Sequence, residues 1–248
     1  MLQRATPLNT QRPMVLIARH SAATRVTHWI NALCLSLLLM SGLQIFNAHP
    51  ALYWGDISTF EKPLAIIGNF PGWATIPSYH DLGAGRAWHF FFAWLFVING
   101  TIYLLVSLLS RHLARDLVPT RAELGHIGGA VREHLRLHFP KGEEARRYNV
   151  LQQLTYLAVI FGVLPLVIAT GLCMSPQMNA AMPWLPELFG GRQSARTLHF
   201  IGAAGLVAFV VVHVAMVVLS GFWNTMRSMI TGRYAIQLGD GHADASKS

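Results

Sequence analysis

The stretch RTLHFIGAAGLVAFVVVHV, residues 196–214, decides the fold. It is almost wholly apolar, yet it carries two histidines, His199 and His213. A helix needs about 20 mainly apolar residues to cross a hydrocarbon core of about 30 Å, and this run has that length. Ionisable groups inside such a run are costly and by default mark a functional site. The spacing adds to this. The two histidines lie fourteen residues apart. On a helix that gap is a rise of about 21 Å and nearly four whole turns. Both imidazoles therefore face the same side, one in each leaflet.

Working outward, three further apolar runs of spanning length occur at about 29–46, 87–109 and 150–172, and the quoted one extends over about 197–220. None of the four contains Asp, Glu, Lys or Arg. Of the whole chain, 53% of residues are hydrophobic and only 12% charged, with mean hydropathy +0.40. Soluble domains carry about 25% charge, so the missing charge points to lipid. Pro165 is expected to bend the third helix, which membrane helices tolerate when neighbours satisfy the freed carbonyl. The first run has the basic leader of a cleaved signal peptide. Its leader is long, however, contains Pro13 and ends in RVTHWIN, and NAHPA is a poor cleavage site. A retained helix is the reading adopted.

Basic residues set the expected topology. The leader carries Arg4, Arg12, Arg19 and Arg25. The loop between the second and third runs carries Arg111, Arg115, Arg121, Arg132, Arg136, Lys141, Arg146 and Arg147. The tail adds Arg227, Arg233 and Lys247, which makes fifteen on one side. The other side has four: Lys62, Arg86, Arg192 and Arg196. The positive-inside rule then places both termini and the 111–148 loop in the cytoplasm of a multi-pass inner-membrane protein. The net charge of +8 reads as a topology and lipid-headgroup signal, with no nucleic-acid module to accompany it. Cys34 and Cys173 fall in opposite leaflets, so no disulfide is expected between them. No C-x-x-C-H, G-x-G-x-x-G, G-x-x-x-x-G-K or nucleophile elbow is present, and no internal repeat stands out.

The expected organisation is a basic leader (1–27), a four-helix unit (28–221), and an interfacial helix with a cytoplasmic tail (222–248). Within the last segment the helix is expected to end near Gly232, with Trp223, Met226 and Ile230 on one side. External loops are expected at 47–85 and 173–195, and an amphipathic inner helix around 121–138.

Four of the twelve histidines lie in or at the edge of the apolar runs: His28, His89, His199 and His213. Ordered by depth along alternating helices, His28 matches His213 near the inner face and His89 matches His199 near the outer face. Two cofactors stacked across the membrane, each gripped between two helices, need this layout. Imidazole is an axial ligand of haem iron, and helix-bundle cores are where such sites are built. Arg25, Arg86 and Arg196 each precede a histidine by three residues, in the pattern R-x-x-H. That is nearly one helical turn, toward the nearer water phase. Guanidinium groups suit the two propionates of a b-type haem. His213 has no such partner. Gly42, Gly100, Gly162, Gly202 and Gly205 offer room for a macrocycle or for plain helix packing, and Trp88 and Phe92 are candidates to edge it. His134 and His138, and His80 beside Asp81, read as wetted surface or loop groups.

On these residues the chain resembles the bacterial cytochrome b561 and nickel–iron hydrogenase b-type cytochrome family, which includes cytochrome b subunits of formate dehydrogenases and thiosulfate reductases. The features are RVTHW opening the first helix, RAWHFFFAW opening the second, LHF…VVVHV in the fourth, and a third helix without histidine. The tail NTMRSMITGRY leans toward the thiosulfate-reductase-like branch. The resemblance implies His28 and His213 on an inner haem iron and His89 and His199 on an outer one. It also implies a periplasmic molybdenum or hydrogenase-type redox partner and a quinone site near the inner haem. Arg19, Asn31 and Asn224 are polar groups at that end, as is Arg25.

The expectation is thus an all-α integral membrane protein, a four-helix bundle binding two b-type haems. It would be the electron-transfer subunit of an oxidoreductase complex, passing electrons between a periplasmic enzyme and the quinone pool. Two rivals stand beside it. One is a self-contained quinone-linked oxidoreductase acting on a small external reductant such as superoxide. The other is a proton-coupled transporter with a histidine relay.

Overall fold

In a computed structural model, residues 14–111, 113–125, 127–135 and 150–237 are described. They are mostly helical. Four helices are long and apolar enough to cross a membrane: Ala22–Asn47, Leu82–Leu109, Val150–Cys173 and Arg192–Leu219. The first packs chiefly on the second and the third on the fourth. The connections 48–81 and 174–191 lie at one end of this bundle, called here the loop end. The segments 14–21 and 220–237 belong to the other, the terminal end.

Three of the helices start before their apolar runs do, because polar caps rather than hydropathy set the starts. The Ser21 hydroxyl accepts from Thr24 N at 3.1 Å, and the Asp81 carboxylate accepts from Ala84 N at 2.9 Å. Each satisfies an amide that the helix itself leaves open. The fourth helix follows Gly191, which has no capping side chain. Its first amides go instead to the first connection, where the Gly55 carbonyl accepts from Gln193 N at 2.8 Å and Ser194 N at 3.2 Å. As a result all three R-x-x-H segments lie wholly inside helices. The third helix contains one wide turn, Val159–Val163, just before Pro165. Proline lacks an amide and crowds the carbonyl four residues back, and a π-turn absorbs both.

Burial is inverted relative to a soluble protein. Thr27, Ser41, Gln44, Asn99, Thr170 and Thr197 are buried, while Phe91, Trp94, Ile98, Val211 and Val212 are exposed. Lipid gives no reason to hide apolar side chains, so interhelical hydrogen bonds and close packing hold such helices together. Asn99 Nδ2 donates to Thr27 O at 2.8 Å and to Asn31 Oδ1 at 2.7 Å, joining the first two helices. Gln44 ties the loop end: its Oε1 accepts from Ser78 N at 2.9 Å and its Nε2 donates to Asp81 O. Both cysteines are buried and free.

The terminal end differs from the expectation of a plain leader and tail. The short helix Phe222–Thr231 stops at Gly232, whose φ of 82° is left-handed, as expected for a glycine cap. The chain then forms a strand, Arg233–Gln237, paired antiparallel with Met14–Ala18 of the basic leader. The ribbon joins segments more than 200 residues apart, which local patterning does not reveal. Among the described residues the connections are also more structured than expected. Ala51–Leu52 pairs with Ala65–Ile66, and short helices occupy Pro176–Ala181 and Trp184–Leu188. Within the inner helix expected around 121–138, Arg121–Gly125 and Ile127–Leu135 are helical, and the side chains of His134 and His138 lie outside the described residues.

Candidate functional site

The four membrane histidines meet in two pairs. At the loop end the rings of His89 and His199 have centroids 6.2 Å apart. At the terminal end the rings of His28 and His213 are 6.3 Å apart. Each pair joins the fourth helix to a different partner helix, the second at the loop end and the first at the terminal end. The pairing of His89 with His199 and of His28 with His213 is thus a feature of the fold.

The spacing suits one metal ion between two rings. Metal–imidazole bonds of about 2.0–2.1 Å, with each ring centre about 1.1 Å behind its nitrogen, put the centroids about 6.2 Å apart. Among the described residues no cluster of three or more His, Cys, Asp or Glu forms a closed metal site. A two-ligand site of this kind fits a metal whose remaining positions are filled by a macrocycle, as in haem.

Hydrogen bonding tells which nitrogen of the loop-end pair is available. His89 Nδ1 lies 3.1 Å from Leu38 O and 3.1 Å from Ser41 Oγ. His199 Nδ1 lies 2.9 Å from Val167 O and 3.3 Å from Thr170 Oγ1. A carbonyl only accepts, so both Nδ1 atoms carry the proton and each Nε2 keeps its lone pair. Two glycines give the rings room. A Cβ at Gly42 would stand 3.3 Å from His89 Cε1, and one at Gly171 would stand 3.2 Å from His199 Cε1. Sequence reasoning found Gly42 but missed Gly171, Ser41 and Thr170. Of the other glycines, Gly202 packs on Val167, while a Cβ added at Gly100, Gly162 or Gly205 would meet no other side chain within 4 Å among the described residues.

The terminal-end pair has an aromatic setting. Phe209 stacks on His213 at 5.9 Å, Tyr156 stands edge-on to it at 6.4 Å, and Trp29 stands edge-on to His28 at 5.3 Å. His28 Nδ1 is buried without a hydrogen-bond partner.

The arginines sit one turn before their histidines. Arg25 Nη1 donates to Ile230 O at 2.5 Å, and its Nε is buried without a partner. Arg196 donates to His49 O and lies 5.4 Å from the Phe46 ring centre. Arg86 is exposed, 5.7 Å from the centre of Phe90. Of the polar groups singled out for a quinone, Arg19 stacks on Tyr234 at 4.4 Å and Asn31 accepts from Asn99. Asn224 is engaged by both backbone groups of Ala235 and by Arg227. None of these three lines the open groove of ≈ 370 Å³ formed by Arg25, Val26, Trp29, Ile30, Met229 and Ile230.

A family model for prokaryotic cytochrome b561 matches residues 19–232. One curated relative, from Azospira oryzae, is named as a protein-methionine-sulfoxide reductase subunit, YedZ1. It is 35% identical over 219 residues, covering 88% of this chain and 98% of that protein. Another, from Cupriavidus necator, is named as a Ni/Fe-hydrogenase B-type cytochrome subunit. It is 26% identical over 228 residues, covering 86% of this chain and 84% of its own length. No solved structure matches.

Proposed function

The chain belongs to the prokaryotic cytochrome b561 family, and on that basis we propose that it is a dihaem electron-transfer subunit of the bacterial inner membrane. The observation that carries this reading is the double pairing of imidazoles, 6.2 Å and 6.3 Å apart, on three helices. His28 and His213 bind one haem b near the cytoplasmic face, and His89 and His199 bind another near the periplasmic face. Each bound haem supplies a one-electron couple.

The chain's own residues do the rest. The fourth helix fixes the separation of the two sites through its fourteen-residue gap. Arg25, Arg86 and Arg196, each one turn before its histidine, are the residues that would hold the haem carboxylates. Apolar helix faces keep water from the path between the sites. The terminal end, which carries Arg19, Asn31 and Asn224 and the groove lined by Arg25 and Trp29, is the quinone side, and both termini are cytoplasmic. The loop end faces a separate periplasmic redox subunit. Both relatives are named as subunits, one of a reductase and one of a hydrogenase, which supports a partner of that general kind.

Purified protein is expected to show b-type bands in a reduced-minus-oxidised spectrum and two haems per chain by haem extraction. Absence of these bands would overturn the reading.

A further inference from the structure

The segments LLMSG, residues 38–42, and VIATG, residues 167–171, lie on different helices and share no obvious repeat. The structure uses them identically. In each, a backbone carbonyl (Leu38 or Val167), a hydroxyl three residues on (Ser41 or Thr170) and a glycine one further (Gly42 or Gly171) meet one imidazole. The hydroxyl protons are already committed. Ser41 Oγ donates to Leu37 O at 2.6 Å, and Thr170 Oγ1 donates to Leu166 O at 2.7 Å. Each hydroxyl oxygen therefore offers the imidazole a lone pair, not a proton, and the Nδ1–H is shared between a carbonyl and that oxygen. The glycine lets the ring lie against the helix close enough for both bonds to form.

We infer that Ser41–Gly42 and Thr170–Gly171 form a duplicated cradle that positions His89 and His199 and makes both more electron-donating toward iron. This rests on the dihaem reading above. Hydrogen bonds accepted from a ligand's far nitrogen fix its tautomer and ring angle and raise its basicity. A more basic axial ligand favours the ferric form, so the cradle holds the outer haem at a lower potential than its ligands alone would give. The terminal-end pair has no counterpart at His28, whose Nδ1 is buried and unpartnered. The device thus serves both imidazoles of the loop-end pair, and His28 at the other pair lacks it. It also gives a purpose to the third helix, which brings no ligand of its own but holds His199 in place. Ser41, Thr170 and the two glycines are positioning residues, acting through the histidines.

Redox titration of the full-length purified protein tests this. In Ser41→Ala and Thr170→Val, one of the two midpoint potentials is expected to rise while the other stays. Ser41→Thr and Thr170→Ser keep a hydroxyl and are expected to restore the wild-type value. Thr101→Val removes a hydroxyl that bonds its own helix at Val97 O without touching a histidine, and is expected to move neither potential. If Ser41→Ala or Thr170→Val loses one haem outright, recovery of that haem in the hydroxyl-keeping variant supports the cradle, and equal loss in both overturns it. Unchanged potentials, or equal shifts at both haems, also overturn it. Wild-type protein without b-type bands would instead sink the dihaem reading itself.

Discussion

An imidazole can bind a metal only through the nitrogen it does not spend elsewhere, and at His89 and His199 that choice is made by neighbouring helices. Ring packing enforces it. A side chain at Gly171 would press on His199 from 3.2 Å at its first carbon alone. Gly171→Val is therefore expected to displace the ring and lower the haem content from two per chain to one, with helical content by circular dichroism unchanged. Retention of both haems would show that the close approach is dispensable. The pairing of the four histidine rings was legible from spacing, because helix geometry sets which residues share a face and a height. The cradle was not legible. Its acceptors are main-chain carbonyls, which no residue type announces, and a Ser-Gly or Thr-Gly pair in an apolar run reads equally well as helix packing. Asn31 and Asn224 show the reverse limit, since each polar group singled out for a ligand also has a protein partner in the fold.

At the scale of elements, the fourth helix depends on a loop far away in sequence. Its first amides bond the Gly55 carbonyl, Ser194 Oγ accepts from Gly55 N at 2.7 Å, and Thr197 Oγ1 donates to Tyr53 O at 2.7 Å. The crossing is tight at Gly191, where φ is 105° and an added Cβ would lie 2.5 Å from the Gly55 carbonyl carbon. Such backbone is strained for any residue with a side chain, by about 1–3 kcal/mol before the clash is counted. Gly191→Ala is expected to lower the unfolding temperature in detergent and to open 48–81 to limited proteolysis. An unchanged digestion pattern would show that the cap does not hold this loop. Helix existence was readable from hydropathy, but helix starts were not, because Ser21, Asp81 and the Gly55 carbonyl set them. The terminal ribbon was hidden for a related reason: MVLIA and RYAIQ become strands only by meeting each other.

Across the whole molecule, two imidazole pairs sit at opposite ends of one helix, and three of the four spanning helices contribute to them directly. The first and second helices supply the second imidazole at each end of the fourth. A wire across the membrane and a histidine relay make different demands on this arrangement, and only the first requires that ligands be lost in matched pairs. The most direct measurement is haem content and redox titration after replacing each histidine in turn by alanine. His89→Ala and His199→Ala are expected to lose the same haem and leave the other at its wild-type potential. His28→Ala and His213→Ala are expected to lose the other. Loss of the same haem in His28→Ala and His89→Ala, or retention of both haems in all four variants, would contradict the two-site structure.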